Sequence, residues 1–139
     1  VEELEPLAQR KQIQLLDAPD RNLAVEADPT ALRLILKNLI ENAIQYTPEG
    51  RRVWVHWHLR DNQVQIEVGD EGIGIPAEEI PRIFERFYRV DKSRSRSHGG
   101  TGLGLTLVRE LLQAHHSPIE VLSEIGKGSR FRFALPLAG

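Results

Sequence analysis

Two adjacent stretches of the chain alternate apolar and polar side chains with a period of two, and this restricts the possible folds more than any other feature. Between Arg52 and Arg60, Val53, Val55, Trp57 and Leu59 interleave with Arg52, Trp54, His56 and His58. Over residues 63–68, Val64, Ile66 and Val68 interleave with Gln and Glu. Successive side chains of a strand point to opposite faces, so each stretch is a strand with one face in a core. Asp61-Asn62 between them is a hairpin turn, and such a short loop joins strands only in antiparallel fashion. The result is a sheet with one apolar face that other elements must cover.

Two amphipathic helices supply that cover. Asp28 offers an N-cap and Pro29 the first helical position, and Leu32, Ile35, Leu36, Leu39, Ile40 and Ala43 recur at helical spacing as far as Tyr46, before Pro48 and Gly50. Residues 101–114 carry Leu103, Leu105, Leu107, Val108, Leu111 and Leu112 in a second such pattern. Residues 119–123 and 129–135 read as strands around the turn Gly126-Lys127-Gly128, and residues 12–16 and 22–26 as a hairpin around Asp17, Pro19 and Asp20. Residues 1–10 read as the tail of a helix, a connector to a preceding part. The predicted fold is an α/β (α+β) two-layer sandwich. Its mixed, largely antiparallel sheet has about five strands and is covered on one face by about three helices. Residues 11–139 form its one domain.

Composition narrows the function. At 139 residues with 40% hydrophobic and 27% charged side chains, the chain is an ordinary globular domain. A net charge of -2 argues against general nucleic-acid binding, which needs a basic excess. The absence of cysteine excludes disulfides, thiolate zinc sites and a cysteine nucleophile. No apolar run approaches the roughly 20 residues that span a bilayer. The chain begins at Val1 and contains no methionine, which reads as a piece of a longer protein.

Four segments carry chemistry. On the first helix, Asn38, Asn42 and Tyr46 recur every four residues along one edge of the apolar face. Asparagine is a mediocre helix former, and its amide oxygen suits a hard cation such as Mg²⁺ as well as it suits a nearby backbone group. Asp70-Glu71-Gly72-Ile73-Gly74-Ile75 follows a strand. Its glycines allow close approach to a flat ligand and its carboxylate can accept from an exocyclic amine, although a plain turn fits equally well. Gly99-Gly100-Thr101-Gly102-Leu103-Gly104-Leu105 opens the second helix, where free N–H groups and the helix dipole favour phosphate. It is neither a P-loop nor a dinucleotide fingerprint. Between these loops, the aromatics of Phe84-Glu85-Arg86-Phe87-Tyr88-Arg89 can anchor a loop or form a satellite cluster. Arg89, Lys92 and Arg94 can reach a triphosphate.

In this order and spacing the four segments resemble the ATP-binding catalytic domain of two-component sensor histidine kinases. Asn38-Leu39-Ile40-Glu41-Asn42-Ala43 is similar to that family's N box, Asp70 to Gly74 to its first glycine box, and Phe84 to Phe87 to its F box. Gly100 to Leu105 is similar to the second glycine box, and the resemblance runs from about residue 10 to residue 137. Gyrase, mismatch-repair ATPases and anti-sigma serine kinases share the wider fold but generally lack the F box.

The resemblance implies roles residue by residue. Asn42 ligates Mg²⁺ with Asn38 in support, Tyr46 lines the adenine pocket, Asp70 takes the adenine amine, and Ile75 and Phe87 are further nucleotide-binding residues. Gly72 and Gly74 shape the pocket. Arg89 and the backbone of Gly100, Thr101, Gly102, Leu103, Gly104 and Leu105 hold phosphates under a flexible lid over roughly residues 89–100. The family often has Lys where this chain has Gln45, and Lys92 or Arg94 would replace that charge. Glu41 is a minor candidate base. The implied cofactors are ATP and Mg²⁺. The implied reaction moves the γ-phosphoryl to a histidine on a separate dimerisation domain, because none of His56, His58, His98, His115 and His116 sits in an acceptor-like context. Further expectations are a response-regulator partner, a homodimeric full-length protein, a cytoplasmic location and no nucleic acid. The alternatives are a nucleotide-sensing or scaffold domain without transfer, or a related ATPase or anti-sigma serine kinase. His56 and His58 share a strand face that reads better as solvated than as a metal pair, and His115 and His116 suit the capping of a helix end.

Overall fold

The computed structural model describes residues 14–18, 25–85 and 104–137. In chain order its elements are β1 (Gln14–Ala18), α1 (Pro29–Tyr46), β2 (Arg52–Arg60), β3 (Gln63–Asp70), α2 (Gly104–Ala114), β4 (Glu120–Glu124) and β5 (Gly128–Pro136), with a 3-10 turn at Ile80–Arg82. They form the expected two-layer arrangement: a mixed five-stranded sheet in the order β1-β2-β3-β5-β4, covered on one face by α1 and α2.

The period-two stretches pair from Val53↔Asp70 to Arg60↔Gln63. At their turn Asp61 and Asn62 have φ of 51° and 65°, the left-handed pair of a type I′ hairpin. β3 continues through Gly69 to Asp70 because it is paired on both sides, to β2 and to β5. The sheet's inner face carries Val53, Val55, Val64, Ile66, Val68, Phe131, Phe133 and Leu135. Against it pack Ile35, Leu39, Ile40, Ala43 and Ile44 of α1 and Val108 and Leu112 of α2. Burial of each large side chain contributes about 1.5–3 kcal/mol.

α1 begins where the sequence places it. The Asp28 carboxylate accepts from the Thr30 N–H at 2.9 Å, with Pro29 in the first turn. Its C-cap is Thr47, whose buried hydroxyl donates to the Ala43 carbonyl at 2.6 Å. α2 ends in a Schellman motif: His116 has φ 56°, its N–H donates to the Gln113 carbonyl, and the Ser117 N–H donates to the Leu112 carbonyl. His115 caps the same end, its Nδ1 lying 2.8 Å from the Leu111 carbonyl, and its Nε2 accepts from the Asp28 N–H at 3.2 Å. That second contact ties the end of α2 to the start of α1.

Among the described residues the N-terminal strands pair elsewhere than in the expected hairpin, most of whose second strand and turn lies outside the described residues. β1 runs parallel to β2, from Gln14↔Arg52 to Ala18↔His56. Val25 makes an isolated bridge to Leu137 instead of pairing with β1. The turn residues at 17–20 suggested a direct return, but a parallel pair needs a crossover, and here α1 provides it.

On the outer face of the sheet, the Trp54 indole lies over Gly69, where a Cβ atom would collide with its ring. Its Nε1 donates to Glu67 at 2.9 Å, and Arg132 pairs with the same carboxylate at 2.6 Å. Burial works against the charged form of Glu67, but these donors, with Arg130 nearby, hold its carboxyl below the usual range. His56 and His58 lie exposed on this face. Among the described residues no group of three His, Cys, Asp or Glu side chains could hold a metal, and no helix is long and apolar enough to cross a membrane.

Candidate functional site

The inner face of the sheet is apolar until its last row. There Asp70 of β3 pairs across the ladder with Ser129 of β5, and Ser129 with Ser123 of β4. One row earlier the same strands present Val68, Phe131 and Val121. Asp70 and Ser129 are both only 5% exposed. The Asp70 Oδ1 accepts from the Gly72 N–H at 2.8 Å and from the Ser129 N–H at 3.2 Å. Burial pushes this carboxyl from an ordinary 3.8 up to about 6, and the two N–H donors offset only part of that rise. A buried carboxylate with one oxygen held by backbone is an acceptor with a fixed direction.

The loop after Asp70 rests on two supports. On one side the Ile73 N–H donates to the Tyr46 carbonyl at 3.2 Å, and Gly72 lies so near that carbonyl that a Cβ would stand 2.7 Å from it. On the other, the β4–β5 turn holds the loop, with the Gly126 N–H donating to the Ile73 carbonyl at 2.9 Å. Gly74, at φ +79°, faces the Glu124 carbonyl, where a Cβ would collide. Both glycines are required by close backbone approach. Tyr46 at the end of α1 and Ile75 at the end of the loop are half-buried.

α1 and α2 meet near Asn38 of α1 and Gly104 of α2. The Asn38 Nδ2 donates to the Leu34 carbonyl of its own helix at 2.8 Å, so part of that amide is satisfied locally. Its Oδ1 instead faces the first residue of α2, and a Cβ on Gly104 would lie 2.9 Å from it. Asn42 is one turn further on, half-buried, and Gln45 is also half-buried. Glu41 faces Lys37 across 4.0 Å, an exposed helical pair. Leu105 is half-buried against the core.

This arrangement has a counterpart among known proteins. Residues 27–139 match the family described as histidine kinase-, DNA gyrase B-, and HSP90-like ATPase. The chain belongs to this family. Within this ATPase family it is the histidine-kinase kind of catalytic domain. It is 46% identical over 120 residues to the sensor histidine kinase WalK of Bacillus subtilis (strain 168), an alignment covering 85% of this chain and 20% of WalK. To the sensor-like histidine kinase SenX3 of Mycobacterium tuberculosis (strain ATCC 25618 / H37Rv) it is 48% identical, covering 86% of this chain and 29% of SenX3. The chain thus spans less than a third of these relatives. Among solved structures it superposes on full-length ShkA in complex with AMPPNP with a TM-score of 0.84, at 33% identity, covering 99% of this chain and 28% of that one. On the nucleotide-free catalytic domain of the histidine kinase ThkA the TM-score is 0.82, at 28% identity, covering 97% and 86%.

Of the expected site residues, Tyr46, Asp70 and Gly72 meet at the end of the sheet with Gly74 and Ile75 following in the same loop, and Asn38 meets Gly104 further back along α1, with Asn42 and Gln45 between these points on the helix and Leu105 against the core. Phe87, Arg89, Lys92, Arg94, Gly100, Thr101, Gly102 and Leu103 lie outside the described residues. Phe84 of the F box is not part of a satellite cluster. It is 8% exposed within the main core and packs edge-on against Phe131 at 6.5 Å. Its carbonyl accepts from the buried Thr106 hydroxyl of α2 at 2.8 Å. Sequence reasoning missed Thr106, Ser123 and Ser129. For the two serines, the signal was a polar residue at an inward position of an otherwise apolar alternation.

Proposed function

We propose that this domain binds Mg-ATP and presents the γ-phosphoryl group to a histidine on a separate dimerisation domain, in two-component signalling with a response regulator. The observation that carries the reading is the buried Asp70 carboxylate at the end of the glycine loop. An amine-bearing base edge is the neutral donor that such an acceptor suits. In this reading Asp70 takes the adenine amine, Tyr46, Ile75 and Phe87 line the base, and Gly72 and Gly74 let the backbone approach it.

The amide oxygens of Asn38, which faces the start of α2, and of Asn42, one turn further on, are hard donors whose chemistry fits Mg²⁺. When bound, the metal supplies charge neutralisation for the phosphates. The N–H groups from Gly100 to Leu105, with Arg89, Lys92 and Arg94, hold the phosphates, and Gln45 stands where a further charge would be. Glu41 retains a minor role as base, because an imidazole acceptor has its own lone pair. Relatives of which this chain covers 20% and 29% leave ample length for an acceptor and a sensor, and the whole protein is read as a cytoplasmically acting homodimer.

Calorimetry and acid-sensitive phosphate labelling test this reading. ATP and ADP should bind at one site in the presence of Mg²⁺, with stable phosphohistidine appearing only when the acceptor domain is supplied. Stoichiometric phosphohistidine on the 139-residue chain alone would overturn it.

A further inference from the structure

The row that ends the inner face holds two hydroxyls beside Asp70, and their hydrogen bonds can be assigned by counting. The Ser123 Oγ lies 2.7 Å from the Ile75 N–H, 2.7 Å from the Ser129 Oγ and 3.1 Å from the Gly128 carbonyl. A hydroxyl has one proton and two lone pairs. The Ile75 N–H must donate, and the Gly128 carbonyl must accept. All three contacts are hydrogen bonds only if the remaining lone pair of Ser123 accepts the Ser129 proton. If Ser123 donated to Ser129 instead, its contact with the Gly128 carbonyl would carry no proton. On the other side of Ser129 in the row stands Asp70, already in contact with the Ser129 backbone N–H.

We propose that Ser123 is a specificity-determining positioning residue: by accepting the Ser129 hydroxyl proton it keeps that proton off Asp70, leaving the carboxylate a pure acceptor for the amino group of an adenine-type base. The inference rests on the reading of Asp70 as the base contact. Ser123 itself touches no ligand. Without its oxygen, rotation of the Ser129 side chain turns the hydroxyl towards the carboxylate of its ladder partner Asp70, and a bond formed there competes with the base amine. The Ile75 N–H at the loop's end loses its partner at the same time, so a lower affinity alone would not separate positioning from support. Selectivity does separate them.

The test compares the affinities of ATP and inosine triphosphate, which carries a carbonyl in place of the amine. Folding is monitored by thermal unfolding. The parent protein should prefer ATP, and Ser123→Ala should reduce that preference about tenfold. Ser123→Cys, with a thiol that is a poor acceptor, gives a second route to the same loss should the alanine variant fail to fold. Ser123→Thr keeps the hydroxyl and should keep the preference. The deciding variant is Ser123→Ala/Ser129→Ala, in which the competing proton is gone and much of the preference should return. An unchanged preference in Ser123→Ala and Ser123→Cys, or a loss that the double substitution does not reverse, would overturn the role of Ser123. A parent protein that does not distinguish the two nucleotides would overturn the Asp70 contact itself.

Discussion

A carboxyl group that ionises less readily in the folded protein than in the unfolded chain costs stability wherever it is ionised. Asp70 is such a group, raised from 3.8 to about 6 by burial. Below about pH 4 it is protonated in both states and costs nothing. Between about 4 and 6 the folded protein binds the extra proton, and above 6 the penalty is complete, on the order of 3 kcal/mol from the size of the shift. Asp70→Asn should therefore stabilise the domain at pH 7 by about 1–3 kcal/mol, since the amide oxygen can still accept from Gly72 and Ser129. The gain should shrink as the pH is lowered towards 4, which urea unfolding at the two pH values would show. The same substitution should weaken ATP by roughly 1.5–3 kcal/mol by removing a charged acceptor. ATP affinity of the parent should likewise fall as the pH drops through 6. A variant that is both less stable and unchanged in ATP binding would remove Asp70 from the site.

Elements show where sequence reading succeeds and where it stops. β2, β3 and α1 were legible because periodicity and caps are local: Val53 to Leu59 alternate, and Asp28 caps its own helix. The pairing of β1 was not, because the turn chemistry at 17–20 is local whereas the partner strand lies beyond an 18-residue helix. Strand β3 outran its expected end at Val68 because Gly69, which looks like a break, makes room for Trp54 on the outer face. Asp70, Gly72 and Gly74 stood out as a motif, and the structure finds the carboxylate buried and both glycines in close backbone contact. The Ser123–Ser129 pair did not stand out, because it depends on the register of two strands joined by their own turn. The type I′ hairpin offers a test at this scale. Asn62 holds φ 65° where glycine adopts that conformation without a Cβ penalty. Asn62→Gly should stabilise the protein by a few tenths to about 1 kcal/mol without altering nucleotide affinity, measured as a shift in the urea midpoint at constant m. A lower midpoint would mean that the Asn62 side chain supports the turn in another way.

At the scale of the molecule, the candidate site is built from α1 at residues 38–46, the loop at 70–75, the start of α2 at 104 and the β4–β5 turn at 123–129. The same elements meet in the one core, where Phe84, tied to α2 through Thr106, packs on Phe131 of β5. A ligand that touches all of them binds only the folded state, so it should raise the unfolding temperature in proportion to its occupancy. At a hundredfold excess over the dissociation constant the gain is about 2.7 kcal/mol. Asn42 separates the contributions to that gain. It is half-buried at the edge of α1, outside the core residues, so Asn42→Ala should leave the unfolding temperature of the unliganded protein within a few degrees. If its amide oxygen serves Mg²⁺, the variant should keep the thermal shift produced by adenine nucleotide without metal and lose most of the increment that Mg²⁺ adds. Thermal scans with ATP, with and without Mg²⁺, read both quantities in one experiment. A variant that unfolds much earlier without ligand, yet keeps the full metal increment, would make Asn42 a packing residue and would move the metal to other donors.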